Sequence, residues 1–573
     1  MCWQLRSPVR DELWYKPVSL GPINGLDALD GQNRTTGAGG MTAQSVAELL
    51  ADHVRLTVEG IDRMYLNVYV PRLQCAYGAV RFFRDHRGQA LASSALMGQM
   101  SRRFVAELDR FIARHRLPLV LFTKGQRKDD VMIEHLRRFQ LKEGVVFVGK
   151  AQEKASVFRT QKRRHPNGRA YPWIIKSTAM VNHYYIYAVD DEFGPFFLKF
   201  CTYFPYNAKL CLNGHEYAKR QLEREGITYQ ALDNGVLSCA DPQRLQQICD
   251  GLSAERIDRL LRKWLRFLPH PFTAADRKAG HRYDVSILQA EFSLTQVLDR
   301  PVHGRLFFEQ VIRENLDLGR PDEVQLIFDR RITRRTPGGL RTRILTQGVT
   351  PSLHVYYKST RIKQYHKEQR ALRTETTINN TYDFGIGKRL HNLPKLRDIG
   401  FRANRRLLEV ERLSYDCILT EDTFQQINGP VERAGQRASG LRFAEPRIHA
   451  LWHAVLLFRL LPNGFRRADL RTHLAELSGR PAETLGPGAM TYQLRRLRLH
   501  GLIERQPNSH RYHVTDSGFR AALFFTRTYN HLLRPGLAAA LPGHHSVPTR
   551  LKQAFDALDA RLTASITQLA LAA

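Results

Sequence analysis

Two rhythms of hydrophobic and polar positions run along this chain, and the places where one gives way to the other mark its first elements. Tyr65, Asn67 and Tyr69 alternate with Leu66, Val68 and Val70, a two-residue period that predicts a strand over 64–70. Leu96, Met100, Phe104, Leu108 and Phe111 or Ile112 recur at helical spacing, so a long helix capped by Ser93 or Ser94 is predicted to run to about 115. Shorter helices are predicted over 45–53, 77–86 and 129–139, with strands over 119–122 and 145–148. This β–α alternation predicts a small α/β domain at 41–150.

Beyond it the helical period fades. Lys150, Lys154, Arg159, Lys162, Arg163, Arg164 and Arg169 surround a Pro166-Asn167-Gly168 turn. Strands over 183–189 and 195–203 flank an Asp190–Gly194 hairpin loop. Asn213 or Gly214 then opens a helix over 216–225, and helices follow from 242 to about 267, so 151–320 is expected to be a hairpin with a helical region. From 324 the two-residue period returns in strands over 324–328, 341–346, 352–357 and 371–378, which predict a basic antiparallel β-rich domain at 321–428 ending in a helix over 394–413. Residues 429–440 read as a linker and 450–461 as a buried helix. Residues 1–40, rich in Gly, Asn, Asp and Arg, are expected to be a disordered arm or a mis-assigned start, and 541–573 a C-terminal helix. The fold class expected is therefore α+β and multidomain: an N-terminal α/β region, a basic antiparallel β-rich centre and a C-terminal winged helix-turn-helix.

That last element rests on a series of local signals in 441–540. An amphipathic helix over 465–477 follows a Pro462-Asn463-Gly464 turn, and Pro487-Gly488 is expected to break the chain. Thr491 would cap a helix over 492–500, with Met490, Leu494 and Leu497 on one face and Gln493, Arg495, Arg496 and Arg498 on the other. Gly501 stands where a helix needs a left-handed residue. Two short strands around Gln506-Pro507-Asn508-Ser509 form a wing carrying His510, Arg511 and His513, and Asp516 would cap a final helix. The run Leu494–Glu504 resembles the recognition helix and first wing strand of winged-helix proteins, which implies a helix in a DNA major groove with arginines on bases or phosphates. A solvated basic face on a protein-binding winged helix is the alternative.

Charge points the same way. Lys and Arg number 87 against 55 Asp and Glu, a net charge of +32, which attracts polyanions and favours DNA or RNA as partner. No apolar run reaches the length that spans a membrane, so no membrane partner is expected. The 7 cysteines lie far apart and form no CxxC pair, so a reducing, cytoplasmic setting is expected. The phosphate contacts expected are Lys162, Arg163, Arg164, Arg330, Arg331, Arg334, Arg335, Lys367 and Arg373, joined at the C-terminus by Gln493, Arg495, Arg496, Arg498, His510 and Arg511. Tyr184, Tyr185, Tyr187, Phe193, Phe196, Phe197, Tyr203, Phe204 and Tyr206 lie amid lysines, and two or three are expected to stay exposed as stacking platforms for unpaired bases.

Catalysis is weighed on carboxylates. Metal-assisted phosphodiester cleavage needs two or three of them on Mg2+, with a lysine nearby. Asp329 and Glu375 are the candidate ligands and Lys358 or Lys363 the candidate charge stabilisers; Asp190, Asp191 and Glu216 form a second set. The bland alternative pairs Glu375 with an arginine across a sheet and leaves the aspartates in turns. The stretch Tyr365–Asn380 is similar to the tyrosine, acid, lysine and arginine-x-glutamate strand of some phage and plasmid rolling-circle replication initiators, which implies strand nicking. It lacks their His-x-His pair, since His354 and His366 stand apart. No GxxxxGK[ST] sequence occurs, which argues against an ATP-driven motor. From Met41 the chain resembles a group of uncharacterised bacterial proteins that share Phe193-Gly194, Tyr203-Phe204-Pro205-Tyr206, Asn213-Gly214-His215-Glu216, Arg373-Thr374-Glu375-Thr376 and a winged end. Two functions are thus expected: a DNA-binding protein of mobile-element or replication type with Mg2+-dependent cleavage, or a non-enzymatic DNA- or RNA-binding regulator.

Overall fold

A computed structural model describes residues 46–315, 341–345, 352–413, 419–529 and 557, apart from positions 124, 165, 167, 169, 369, 444, 479 and 480. The described residues divide into two units, one made of Val54–Pro301 with Ser359–Phe401, the other of what is described in Ser45–His53, Val302–Lys358 and Arg402–Ala573. Asp329, Arg330, Arg331, Arg334 and Arg335, the predicted strand over 324–328, the N-terminal arm and all but one position of the predicted C-terminal helix lie outside the described residues.

The first unit is mixed α/β and is organised by one large mixed sheet. Its strands are β1 (Val54–Tyr69), β2 (Leu119–Leu121), β3 (Gly144–Arg164), β4 (Ala170–Asp190), β5 (Gly194–Cys201), β6 (Ala208–Asn213), β7 (Asp284–Leu298), β8 (Thr360–Lys367) and β9 (Ala371–Ile378). They lie in the order β8-β9-β7-β1-β6-β5-β4-β3-β2. β2 runs parallel to β3, and every other neighbouring pair in this order is antiparallel. Strands from the three stretches expected as separate domains at 41–150, 151–320 and 321–428 therefore share a single sheet.

Local signals account for most of its helices. Ser93 accepts from the backbone N–H of Leu96 and starts α1 (Ser94–Arg114), whose buried positions Met97, Phe104, Leu108 and Ile112 repeat at helical spacing. α2 (Lys128–Arg138) follows β2. Asn213 caps α3 (Gly214–Arg224) by accepting from His215 and Glu216. Gly214 is required there because a Cβ would stand 2.1 Å from the Ile61 carbonyl oxygen. Asp241 and Ser253 cap α4 (Pro242–Asp250) and α5 (Ala254–Phe267), whose apolar faces bury Leu245, Ile248, Ile257, Leu260, Leu261 and Trp264.

Two irregularities in β1 set the direction of its central side chains. Ile61 pairs with Phe292 and Met64 with Ala290, so Asp62 and Arg63 together oppose Glu291 alone. This β-bulge turns two consecutive side chains toward one cluster. A second register shift comes between Tyr65 and Leu66.

The helix α6 (Leu393–Leu413) carries the chain from the first unit into the second. There, Glu421–Asn428 is helical and 429–440, expected as a linker, contains the hairpin Val431–Arg433 with Gln436–Ala438. Ala434 and Gly435 both have positive φ, which is what a tight two-residue hairpin turn demands. Next come α7 (Pro446–Arg459), a bridge between Phe465 and Tyr512, α8 (Arg467–Ser478), α9 (Pro487–Leu499), the hairpin Ile503–Arg505 with Tyr512–Val514, and α10 (Asp516–Arg527). Pro487 does not break the chain: it opens α9 at a position where its missing N–H costs nothing. Thr515 rather than Asp516 caps α10, accepting from Gly518. Gly501 has φ +71°, as its place after α9 requires. The core of this module is Trp452, Phe458, Phe465, Leu470, Leu494, Leu497, Phe519 and Phe525. No helix among the described residues is long and apolar enough to cross a membrane.

Candidate nucleic-acid interface and the buried charge cluster

Strand register brings distant charges together at the centre of the sheet. Opposed residues on neighbouring strands share a face. Ser293 pairs with Glu375 and Thr295 with Arg373 on one side of β9, and Lys363 pairs with Glu375 and Tyr365 with Arg373 on the other. The bulge in β1 adds Asp62 and Arg63, and the start of α3 adds His215.

Arg373 is the hub and is fully buried. Its Nη2 donates to Asp62 Oδ2 (2.9 Å), its Nε to Glu375 Oε1 (3.2 Å) and its Nη1 to Thr295 Oγ1 (2.7 Å). Nη2 also lies 2.5 Å from His215 Nε2. Tyr365 donates to the same Glu375 oxygen at 2.9 Å, and Asn234 donates to Asp62 Oδ1. Arg63 Nε stands 3.1 Å from Glu291 Oε2 and 3.8 Å from Asp62.

Burial alone would raise the Asp62 carboxyl, but the Arg373 and Arg63 cations and the hydrogen bond from Asn234 outweigh it and hold the group far below the ordinary range. Burial and then the Arg373 cation push His215 well below its usual value, so the imidazole is neutral. Burial raises Glu291, with Arg63 opposing. Burial also brings Lys363, whose Nζ lies 4.2 Å from the Tyr365 ring centroid, down to about 8. Ser293 Oγ lies 3.0 Å from His215 Nε2, a spacing that fits a nucleophile and base. Ser293 is fully enclosed, however, and its hydroxyl donates to the Gly60 carbonyl, so no substrate reaches it.

This cluster decides where several expected site residues belong. Glu375 is buried and bound by Arg373 and Tyr365, and no group of three ligand atoms within reach of one ion includes it among the described residues. Arg373, expected on phosphate, has no exposed surface, and Lys367 is 7% exposed. These two are corrections: a cation sealed in the sheet makes no contact with a polymer outside it. Lys363 joins the cluster, while Lys358, in the second unit, is exposed with its Nζ 5.1 Å from the Tyr357 ring. Asp190, of the second carboxylate set, anchors a turn: one oxygen accepts from the N–H groups of Glu192 and Phe193, the other from Lys263 and Trp264. Glu216 accepts from Lys219. Of the tyrosines and phenylalanines expected as stacking platforms, Tyr184, Tyr185, Tyr187, Phe193, Phe196, Phe197, Phe204 and Tyr206 are buried core and Tyr203 is half-buried.

The second unit distributes its arginines differently. On α9, Arg496 points inward, its Nε donating to the Ser439 carbonyl at 3.0 Å and its Nη2 to that of Gly440. It is 5% exposed and its expected place on a nucleic acid is corrected to a tie between α9 and the chain just after the 431–438 hairpin. Arg498 is exposed and donates to Gln436 Oε1, and Gln493 is half-buried. Gly488, Thr491 and Arg495 face solvent beside the half-buried Tyr492. With Arg467 of α8 and Pro487 they line a depression of about 360 Å³. On the hairpin after α9, Arg505 and His510 are exposed, whereas Arg511 is half-buried and reaches toward the carbonyls of Asn463 and Gly464 at 3.4 Å. Arg467, Tyr492 and Arg505 are site residues that the sequence reading does not single out: Arg467 opens α8, Arg505 ends the first strand of the hairpin, and the first turn of α9 was hidden by the reading of Pro487 as a break.

No family model, curated protein or solved structure matches this chain.

Proposed function

We propose that this chain is a DNA-binding protein whose C-terminal module is a winged helix-turn-helix. The observation that carries the reading is the element order α7, bridge, α8, α9, hairpin, α10, with Gly488, Thr491, Tyr492 and Arg495 as the outward row on α9. In that architecture the N-terminal half of the second helix meets base edges while the first helix and the wing hold the backbone. Gly488 and Ala489 let α9 approach closely, Arg495 and Thr491 supply donors, and Arg467, Arg505 and His510 supply charge for phosphates.

Binding without strand cleavage is the favoured form of this reading. Its support is the saturation of Glu375, the candidate Mg2+ ligand, by Arg373 and Tyr365. The test is fluorescence anisotropy of labelled random-sequence and selected duplexes over a salt series, with and without Mg2+. Tight, salt-dependent duplex binding, reduced in Arg495→Ala and unaccompanied by cleavage, is expected. Affinity unchanged in an Arg467→Ala/Arg495→Ala double variant would overturn the assignment.

A further inference from the structure

The antiparallel pair β3–β4 extends far beyond the sheet that holds it. Each strand has 21 residues, paired from Gly144 with Val189 out to Arg164 with Ala170. At about 3.3 Å per residue the ribbon is roughly 65–70 Å long. Among the described residues, neighbouring strands flank it at Val148–Lys150 and His183–Asp190. The outer half is a two-stranded ribbon steadied by α1, whose Ser94 exchanges hydrogen bonds with Thr160.

Its outer residues are one-sided in charge. From 154 to 180 the chain has no Asp or Glu, while Lys154, Arg159, Lys162, Arg163, Arg164, Arg169 and Lys176 are basic. Elsewhere in this unit Arg63, Lys128, Lys199, Lys263 and Arg373 meet carboxylates. The outer ribbon supplies no carboxylate of its own. The register places Arg159 opposite Ile175, Gln161 opposite Trp173 and Arg163 opposite Tyr171, all on one face. The opposite face buries Phe158 and Ile174. Trp173 is 46% exposed, its ring edge-on to Tyr171 at 6.4 Å and under the Arg163 guanidinium at 4.8 Å. An indole held outward at that exposure forgoes burial that usually stabilises a side chain of its size.

We infer that the outer half of this ribbon binds an unpaired nucleic-acid strand, with a base stacked at Trp173 and phosphates on Arg159 and Arg163, which share its face. Aromatic rings beside a basic track are the chemistry of single-strand binding, because every base offers a π-face whatever its identity. A duplex groove offers an indole little beyond a thymine methyl group, so the aromatic pair favours the unpaired strand over a ribbon in a major groove. This site lies wholly in the first unit and stands whether or not the C-terminal module binds duplex.

The experiment measures anisotropy of labelled dT20, rU20 and a blunt 20-base-pair duplex on the full chain. Trp173→Ala is expected to weaken dT20 or rU20 binding about tenfold, with duplex affinity within twofold of the parent and the thermal melt unmoved. Trp173→Phe is expected to retain most of the affinity, and the two single-stranded arms show whether DNA or RNA is preferred. Arg495→Ala should show the reverse pattern, weakening duplex alone. Three results overturn the inference: no single-strand binding by the parent chain, equal single-strand affinity in Trp173→Ala and parent, or parallel loss of single- and double-stranded binding in Trp173→Ala.

Discussion

Arg373 and Arg163 belong to the same sheet, yet they spend their charge in opposite ways. Arg373 sits where β1, β7, β8 and β9 converge on α3, and each of its nitrogens has a partner within the protein. Arg163 sits near the end of the β3–β4 ribbon, exposed, against an indole rather than a carboxylate. Taking a guanidinium out of water costs several kcal/mol and is offset only when anions and acceptors surround it, which is the situation at the sheet centre. Nothing acidic accompanies Arg163 along its stretch of chain. A net charge of +32 therefore overstates the cationic surface in one place and understates its concentration in another.

The buried end of this contrast is the more sensitive to substitution. Arg373→Met leaves Asp62 and Glu375 without their cation, and a loss of about 3–5 kcal/mol in urea-unfolding stability is expected. A loss below about 1 kcal/mol would mean that water reaches the cluster and replaces the missing cation. Arg496→Ala tests the same logic in the second unit. It should cost about 1–3 kcal/mol by orphaning the Ser439 and Gly440 carbonyls, with no change in the salt dependence of duplex binding. Arg495→Ala, one residue away, should do the opposite: a duplex-affinity loss, a salt slope smaller by about 1, and stability within about 0.5 kcal/mol of the parent.

A further effect concerns pH. Asp129, at the start of α2, is raised by burial to about 7. A carboxyl raised in the folded state favours folding while it is protonated. Its contribution is therefore full below about 3.8, its value when unburied, and is lost as pH rises through about 7. Asp129→Asn should flatten that part of the stability profile, measured as melting temperature from pH 4 to 8. An unchanged slope would place Asp129 in contact with solvent.

What is legible in the sequence depends on how far apart the cooperating residues stand. Ser93, Asn213 and Gly501 act within a few residues of themselves, and the helix ends they mark are where the spacing predicts them. Asp62 and Arg373 are 311 positions apart, and no local period reports such a pair. The strand β7 escapes a reading by periodicity because Ser286, Gln289, Ser293, Thr295 and Gln296 interrupt its apolar rhythm; these polar residues are buried, and Ser293 and Thr295 pair directly with Glu375 and Arg373. Conversely, Tyr184 to Tyr206 reads as an aromatic surface because lysines lie among the rings. Lys199 in fact turns to the half-buried Glu153, which it shares with Lys128, and the rings pack as core. Trp173 leaves no periodic trace. The signal available is the long interval without acidic residues around it.

The bulge in β1 also fixes the length of that strand. Because Asp62 and Arg63 both reach the cluster from adjacent positions, the reading frame of side chains along it is locked. Removing a single residue between Ile61 and Met64 would swing one partner of Arg373 or Glu291 to the far layer. Length changes are thus forbidden here, and variation among natural versions of this chain should take the form of exchanged letters, never gained or lost ones.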